Sequence, residues 1–277
     1  MENILLIGAG QLGGRHLQGL LQLADSQRIY VLDPSQISLE MAKQRSLEIR
    51  NDHQLFYVKD WRDLPKEFNI VIVSTNSDVR EEVINNLCKN YNINYLILEK
   101  VLFQKIASYE KIGDLLSKRM IRTWVNHSRR MFASYQEIKQ LIAVDTIKIL
   151  QYSGGNWGLA CNSLHFIDLF MFLTETELKQ LDVSWIDDTI IPSKRKGFIE
   201  FTGSIRGELT NGSIFYISSL KGESAPGILL LSGTQHQIVI LESGGTSIDI
   251  IKKEGDFKLE VNTFKMEYQS SWTTKLA

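Results

Sequence analysis

The chain is 277 residues long, with 31 basic and 32 acidic side chains and a formal net charge of -1. That balance excludes capture by nucleic acid or anionic lipid through bulk charge, and no apolar run approaches the ~20 residues of a membrane span. Its length exceeds a single α/β unit and predicts a soluble two-domain protein with a sizeable core. The two cysteines, Cys88 and Cys161, lie far apart and form no metal or redox motif. The sequence enters a strand at once, without the basic and apolar regions of a secretory signal, so no leader is expected. Asn126-His127-Ser128 and Asn211-Gly212-Ser213 therefore read as chance glycosylation matches, and a reducing, cytoplasmic compartment is expected.

Asn3-Ile4-Leu5-Leu6-Ile7 predicts a strand, Gly8-Ala9-Gly10-Gln11-Leu12-Gly13 a tight turn, and the Leu-studded stretch 12–23 a helix. This order is the layout that holds a dinucleotide. Gly8 permits the turn, Gly10 lets the backbone approach a pyrophosphate, and Gly13 lets helix and strand pack closely. Unpaired N–H groups and the helix dipole then meet the phosphates. Gln11 and Leu12 complete the turn's expected cofactor contacts. Asp33 closes the apolar run 28–32, twenty residues after Gly13, placed to accept hydrogen bonds from the adenosine ribose. An acid there favours NAD, because the 2′-phosphate of NADP would face a carboxylate and neither Pro34 nor Ser35 brings a cation; NADP is the second candidate. The bland reading is a glycine-rich turn that binds nothing, and the strand, helix and acid in register weigh against it.

A helix is expected over residues 35–45, with Ser35 as N-cap. Ile70-Val71-Ile72-Val73 has the β-branched content of a buried parallel strand. A helix over 77–89, a strand over 95–98 and a helix over 104–118 follow. Strands separated by helices imply right-handed crossovers and a parallel sheet, with ligands beyond the carboxyl ends of its strands. Gly8–Gly13, Asp33, Ser74-Thr75-Asn76 and Glu99-Lys100 then share one rim. From about residue 121 the pattern changes: a strand (121–126), a helix carrying Met131, Tyr135, Ile138 and Ile142, a strand (146–152) and an apolar helix (163–174). Strands joined at Asn211-Gly212, Gly244-Gly245 and Gly255-Asp256 complete it, and Asn-Gly is a clear hairpin signal. The expected architecture is a Rossmann dinucleotide-binding domain over 1–120. An α+β domain with a large, mostly antiparallel open sheet follows over 121–277, for substrate binding and oligomerisation.

These motifs fall in a fixed order along nearly the whole chain: the glycine turn with His16, then Asp33, Ser74-Thr75-Asn76, Leu98-Glu99-Lys100, and Asn126 with Arg129-Arg130. Last comes Cys161-Asn162-Ser163-Leu164-His165-Phe166-Ile167-Asp168. In that order the chain resembles the Gfo/Idh/MocA oxidoreductases, which include glucose–fructose oxidoreductase and inositol dehydrogenase. Asn126 and the arginines are similar to the Asn-x-Arg segment that opens the family's second domain. Residues 161–168 have the spacing of its Asp-x-Gly-x-His-x-x-Asp helix. The resemblance implies an NAD(P)-dependent enzyme acting on CH–OH groups of a sugar, sugar nucleotide or cyclitol, and a homodimer or homotetramer formed through the C-terminal sheet. The chain departs from the family at four places. Val101 stands where Glu-Lys-Pro and a cis-type turn are usual, Cys161 where the helix has its acid, Ser163 where glycine is common, and Arg80 where histidine is frequent. These changes mark a divergent branch, and the missing acid bears on the usual proton relay. Residues 271–277 read as the start of a helix, where relatives carry a closing one.

On a helix, Cys161, His165 and Asp168 lie near one another, with Asn162 adjacent. The bland reading of His165, amid Leu164, Phe166, Ile167, Leu169 and Phe170, is a core histidine satisfied by Asp168. Beside a cofactor domain the site reading prevails: a histidine takes the proton of a substrate hydroxyl as hydride leaves the carbon. Lys100 is either a solvated terminal charge or, at the nicotinamide rim, the ammonium that holds the hydroxyl, stabilises the alkoxide or acts as base. Lys100 and His165 are the catalytic candidates; Glu99 is an orienting or cofactor-contacting group. Arg129 and Arg130 can clamp a substrate anion or form a solvated face. The loop 152–158, with Asn156 and Trp157, is a sugar wall or an ordinary turn. Lys100, Arg129, Asn156, Trp157, Cys161, Asn162 and His165 are thus the substrate-binding candidates. His165 and Asp168 are too few for a metal, and no GxSxG elbow is present. An alternative from another class is a non-catalytic, dinucleotide- and sugar-sensing regulatory protein on the same scaffold, which Cys161 and Val101 permit.

Overall fold

The computed structural model describes residues 1–222, 224–253, 255–265 and 269–276. The chain forms two compact units, Met1–Asn126 with Glu267–Ala277, and His127–Met266. In the first unit, β1 (Asn3–Ile7), α1 (Gln11–Leu20), β2 (Arg28–Leu32), α2 (Gln36–Ser46), β3 (Gln54–Val58), β4 (Glu67–Val73), α3 (Arg80–Asn90), β5 (Asn92–Leu98), α4 (Ile106–Lys118) and β6 (Arg122–Val125) follow in order. The strands make one six-stranded sheet in the order β3-β2-β1-β4-β5-β6, parallel at every pairing. Apolar side chains cover both faces. Leu5, Val71, Val73, Leu96 and Leu98 lie in the cluster that Ile84 of α3 and Ile112 of α4 join. Ile4, Leu6, Ile70 and Ile72 lie in another, with Leu17 of α1 and Leu39 of α2. Burial on both faces explains the unbroken apolar run of β1 and the β-branched run of β4. The strand order reverses between β1 and β4, so the turns after these strands flank the crevice where such sheets bind ligands.

Three features differ from the sequence reading. The strand β3 was not among the expected elements; it is an edge strand with alternate residues exposed, and its apolar content is diluted by Gln54. The segment expected to open the second domain is the sixth strand of the parallel sheet, because Leu98 of β5 pairs with Val125 of β6. The boundary between units therefore falls after Asn126 rather than after residue 120. The C-terminal helix, assigned by sequence to the second domain, also belongs to the first unit.

In the second unit, α5 (Ala133–Leu141), β7 (Ile149–Gly155), α6 (Leu159–Thr174), β8 (Leu178–Asp182), β9 (Ile191–Pro192), β10 (Ile199–Glu200), β11 (Gly203–Leu209), β12 (Ile214–Leu220), β13 (Ile228–Ser232), β14 (His236–Leu241), β15 (Thr246–Lys253) and β16 (Asp256–Thr263) follow. After them α7 (Gln269–Leu276) returns to the first unit. Eight strands form one sheet, β16-β15-β14-β13-β7-β12-β11-β8, antiparallel except where β12 runs parallel to β7. β9 and β10 pair separately. The turns at Gly212 and Gly255 have positive φ and join consecutive strands, as their sequence signals require.

One face of the large sheet packs under α6. Tyr152 stacks on Phe166 with ring centroids 3.5 Å apart, and Phe170 meets Phe215 at 5.7 Å. The registers Ile248↔Val261, Val239↔Ile248, Leu230↔Val239, Leu230↔Gln151 and Tyr216↔Gln151 put the opposite set of side chains on the other face. There Tyr216, Phe257, Leu259 and Val261 are exposed. Among the described residues, no helix is long and apolar enough to cross a membrane.

Candidate functional site

The glycine turn is built as its spacing requires. Gly8 has φ 96°, and a Cβ on Gly13 would lie 1.8 Å from the Gly8 carbonyl oxygen, so only glycine allows α1 this approach. A Cβ on Gly10 would meet nothing within 4 Å. Gly10 caps α1 without a side-chain hydrogen bond, and the first turn holds no acid. Open space in front of an uncapped helix N-terminus is what a pyrophosphate needs. Asp33 closes the turn: Oδ2 accepts from the Ala9 N–H at 2.7 Å and Oδ1 from the Ser35 N–H at 2.8 Å. Each oxygen keeps a lone pair for a ribose hydroxyl. Ser74 donates to the carbonyls of Gly8 (2.8 Å) and Ile7 (3.1 Å), clasping the two strand ends that border the crevice. Gln11 and Asn76 are exposed beside the turn, with Leu12 and Thr75 half-buried. The residues present therefore fit a dinucleotide.

The Glu99-Lys100 pair divides between interior and rim. Lys100 is half-buried at the end of β5, and the Lys100–Val101 peptide is cis, so Val101 carries the turn that the family resemblance associates with proline. Glu99 is only 3% exposed. His16 Nε2 donates to its Oε1 at 2.9 Å, and Asn126 Nδ2 donates to the same oxygen. His16 Nδ1 lies 2.8 Å from Thr273 Oγ1 of α7, and Thr274 donates to the Gly19 carbonyl at 2.7 Å, so α7 is fastened to α1. Burial alone would raise the Glu99 carboxyl, but the bond and charge of His16, the bond from Asn126 and the charge of Lys100 outweigh it and hold it below its ordinary value. Glu99 is thus an internal anchor, walled off from the cofactor contact expected of it. Asn126, expected at the mouth of the second domain, is part of that anchor.

In the sequence Arg80 stands out only as a departure from a frequent histidine, with no role assigned. It begins α3, is 2% exposed, and reaches four backbone carbonyls: Glu99, Val101, Leu102 and Thr75. That departure was one signal; the structure adds a cation at the first position of α3, where the dipole disfavours it.

In the second unit the expected residues gather around α6, several in supporting roles. Arg129 Nε and Nη2 bind both oxygens of Glu242 at 2.9 Å, and its guanidinium lies 4.4 Å from the Phe166 ring centre. Tyr135 also donates to Glu242, at 2.7 Å. Burial opposes both charges of the Arg129–Glu242 pair, yet mutual attraction holds Glu242 below and Arg129 above its ordinary value. Arg129 is therefore committed to a buried ion pair rather than presented as a substrate clamp. Tyr152, pushed up to about 12 mainly by burial, and Tyr135, pushed up by burial and by Glu242, remain neutral O–H groups near pH 7.

Trp157 donates its indole N–H to the Ser218 carbonyl at 2.9 Å and packs edge-on against Tyr152 and Phe166. Asn162 in turn donates to the Trp157 carbonyl at 2.8 Å. Both stabilise the entry to α6. Asn156 is exposed, with φ 46°. Asp168, expected to serve His165, is held by Arg130 through bonds of 2.6 and 2.7 Å. The His165 ring packs edge-on against His127, centroids 5.7 Å apart. Glu200 was another unforeseen residue. From β10 its carboxylate accepts the N–H groups of Ala160 (2.8 Å) and Cys161 (3.2 Å), setting a negative charge at the positive end of α6.

The parallel sheet, its glycine turn and Asp33 define an NAD(P)-binding Rossmann domain. Residues 2–127 match the family described as "Oxidoreductase family, NAD-binding Rossmann fold", so over this segment the chain carries the NAD-binding domain of the Gfo/Idh/MocA oxidoreductases. No curated protein matches the sequence. Among solved structures, the super-repressor mutant of Gal80p from Saccharomyces cerevisiae is similar, with 15% identity and TM-score 0.77 over 98% of this chain and 81% of that one. An NAD binding oxidoreductase from Klebsiella pneumoniae has 13% identity and TM-score 0.75 over 99% and 88%. Scyllo-inositol dehydrogenase from Lactobacillus casei, with bound NAD(H) and scyllo-inositol, has 15% identity and TM-score 0.68 over 93% and 81%. At these identities the likeness is one of fold.

The Glu99 anchor has a pH signature. Its folded value lies below the ordinary 4.5, so its contribution is present above that pH and lost as pH falls through the depressed value. In urea unfolding between neutral pH and pH ~3, wild type should lose stability more steeply than Glu99→Gln across this acid window. Parallel acid limbs would contradict the anchor.

Proposed function

We propose that the chain is an NAD(P)-dependent oxidoreductase acting on a CH–OH or keto carbon of a sugar, sugar nucleotide or cyclitol. The observation that carries this reading is Lys100, half-buried on the same strand-end rim as the open Gly10 cradle and Asp33. Family membership of residues 2–127 supports the cofactor class. The fold likeness to scyllo-inositol dehydrogenase supports a polyhydroxylated substrate. Asp33 favours NAD.

Gly8, Gly10 and Gly13 with the first turn of α1 hold the pyrophosphate, and Asp33 the adenosine ribose. When bound, the nicotinamide supplies the hydride acceptor or donor. Lys100 orients the reacting hydroxyl by donating from its ammonium and stabilises the alkoxide as the proton departs. His165 receives that proton, or returns it in the reductive direction. The exposed apolar face of the large sheet joins two copies of the chain as a homodimer, alone or within a homotetramer, which removes Tyr216, Leu259 and Val261 from water.

A second reading is a non-catalytic dinucleotide- and sugar-sensing protein. Fold likeness to the Gal80p repressor favours it, as does the engagement of Asp168 by Arg130 in a helix that carries Cys161.

A panel of sugars, sugar nucleotides and cyclitols, followed at the nicotinamide absorbance, separates the two readings. Lys100→Met and His165→Ala should each lower turnover by about 10²–10⁴-fold with dinucleotide affinity nearly unchanged. Dinucleotide binding without turnover on any member favours the sensor, and undiminished turnover in both variants would sink the catalytic assignment. Sedimentation should find wild type as a homo-oligomer and Tyr216→Glu/Val239→Glu as a monomer. A monomeric wild type would contradict the sheet-face assembly.

A further inference from the structure

A buried guanidinium at the start of α3 grips the segment that bears Lys100. Arg80 Nη1 donates to the carbonyls of Glu99 and Val101, the residues on either side of Lys100, and to that of Leu102 at 3.1 Å. Its Nη2 donates to the carbonyl of Thr75, in the turn after the neighbouring strand β4. One planar group therefore ties the strand-end turns of β4 and β5 together. The position is costly on two counts: a charge is taken out of water, and a cation sits at the positive end of a helix. Carbonyls beyond the strand ends have lost their ladder partners and need donors when buried. Only arginine carries several donors in a rigid fork that can reach two turns at once; a lysine concentrates its donors at one point.

We propose that Arg80 is a positioning residue, a clasp that sets where the Lys100 ammonium stands on the cofactor rim. The Glu99 side chain is held from the other direction by His16 and Asn126, so Lys100 emerges from a backbone pinned at both neighbours. The value of this placement to hydride transfer rests on the function proposed above, because reacting groups tolerate little displacement. The clasp itself stands on geometry alone.

The test uses the full-length protein with Arg80→Lys, and Arg80→Gln as a second variant that supplies a planar amide. Amide exchange is read peptide by peptide, the acetylation rate of Lys100 by acetic anhydride is read by mass spectrometry, and NADH affinity by fluorescence. Exchange in residues 75–76 and 99–103 should quicken by about tenfold or more, with β1 and β4 unchanged. Lys100 acetylation should change several-fold while Lys89 and Lys118 keep their rates, and NADH affinity should move less than either. Unchanged exchange and acetylation would overturn the clasp. Loss of protection throughout the first unit in both variants would also overturn it, by making Arg80 a folding residue. Wild type that binds NADH and turns over no substrate would refute the proposed function while these readouts still decide the clasp.

Discussion

The rim of the parallel sheet depends on two buried charges of opposite sign. Glu99 and Arg80 are both nearly sealed from water. His16 and Asn126 donate to one oxygen of the carboxylate, and Nη1 and Nη2 of the guanidinium donate to main-chain carbonyls. Unpaired, either charge would cost far more than a single domain's stability margin allows. Each therefore fixes the groups around it: α1 through His16, the end of β6 through Asn126, and the turns after β4 and β5 through Arg80. His16 extends the network to Thr273, so the last helix of the chain helps fasten the first. The glycine turn and Asp33 gain their geometry inside this frame.

The second unit handles polarity in the same way around α6. Arg129 with Glu242 and Glu200 with the first turn of the helix are internal pairings, and Arg130 with Asp168 is a more exposed one. They hold a mostly apolar helix against the sheet and fix the ring stack of Tyr152, Trp157 and Phe166. Much of what resembled a substrate wall is the scaffold that keeps α6 in place.

Local signals were legible in the sequence, and distant pairings were not. The glycine turn, Asp33, the β-branched β4 and the Asn-Gly hairpin each declare themselves within a few residues, because backbone sterics and short-range hydrogen bonds dictate them. Arg129 meets a partner 113 residues away, and His16 one 257 residues away. No local spacing encodes such a match, so Arg129 read as a candidate clamp and Thr273 went unmarked. The segment 121–126 was misassigned for the same reason: a short strand shows no trace of which sheet it will join. Arg80 was marked only as a departure from histidine, because its carbonyl partners at 99, 101 and 102 leave no local trace. Val101 shows the reverse case, a departure in residue type that leaves the backbone turn after Lys100 in place.

The central claim is that the rim framed by Gly10, Asp33 and Lys100 is a dinucleotide site with a preference for NAD. Calorimetric titration of the purified chain with NAD and with NADP tests it most directly. Saturable binding of both, tighter for NAD, with the preference weakened in Asp33→Asn, is the expected result. Failure to bind either dinucleotide would contradict it.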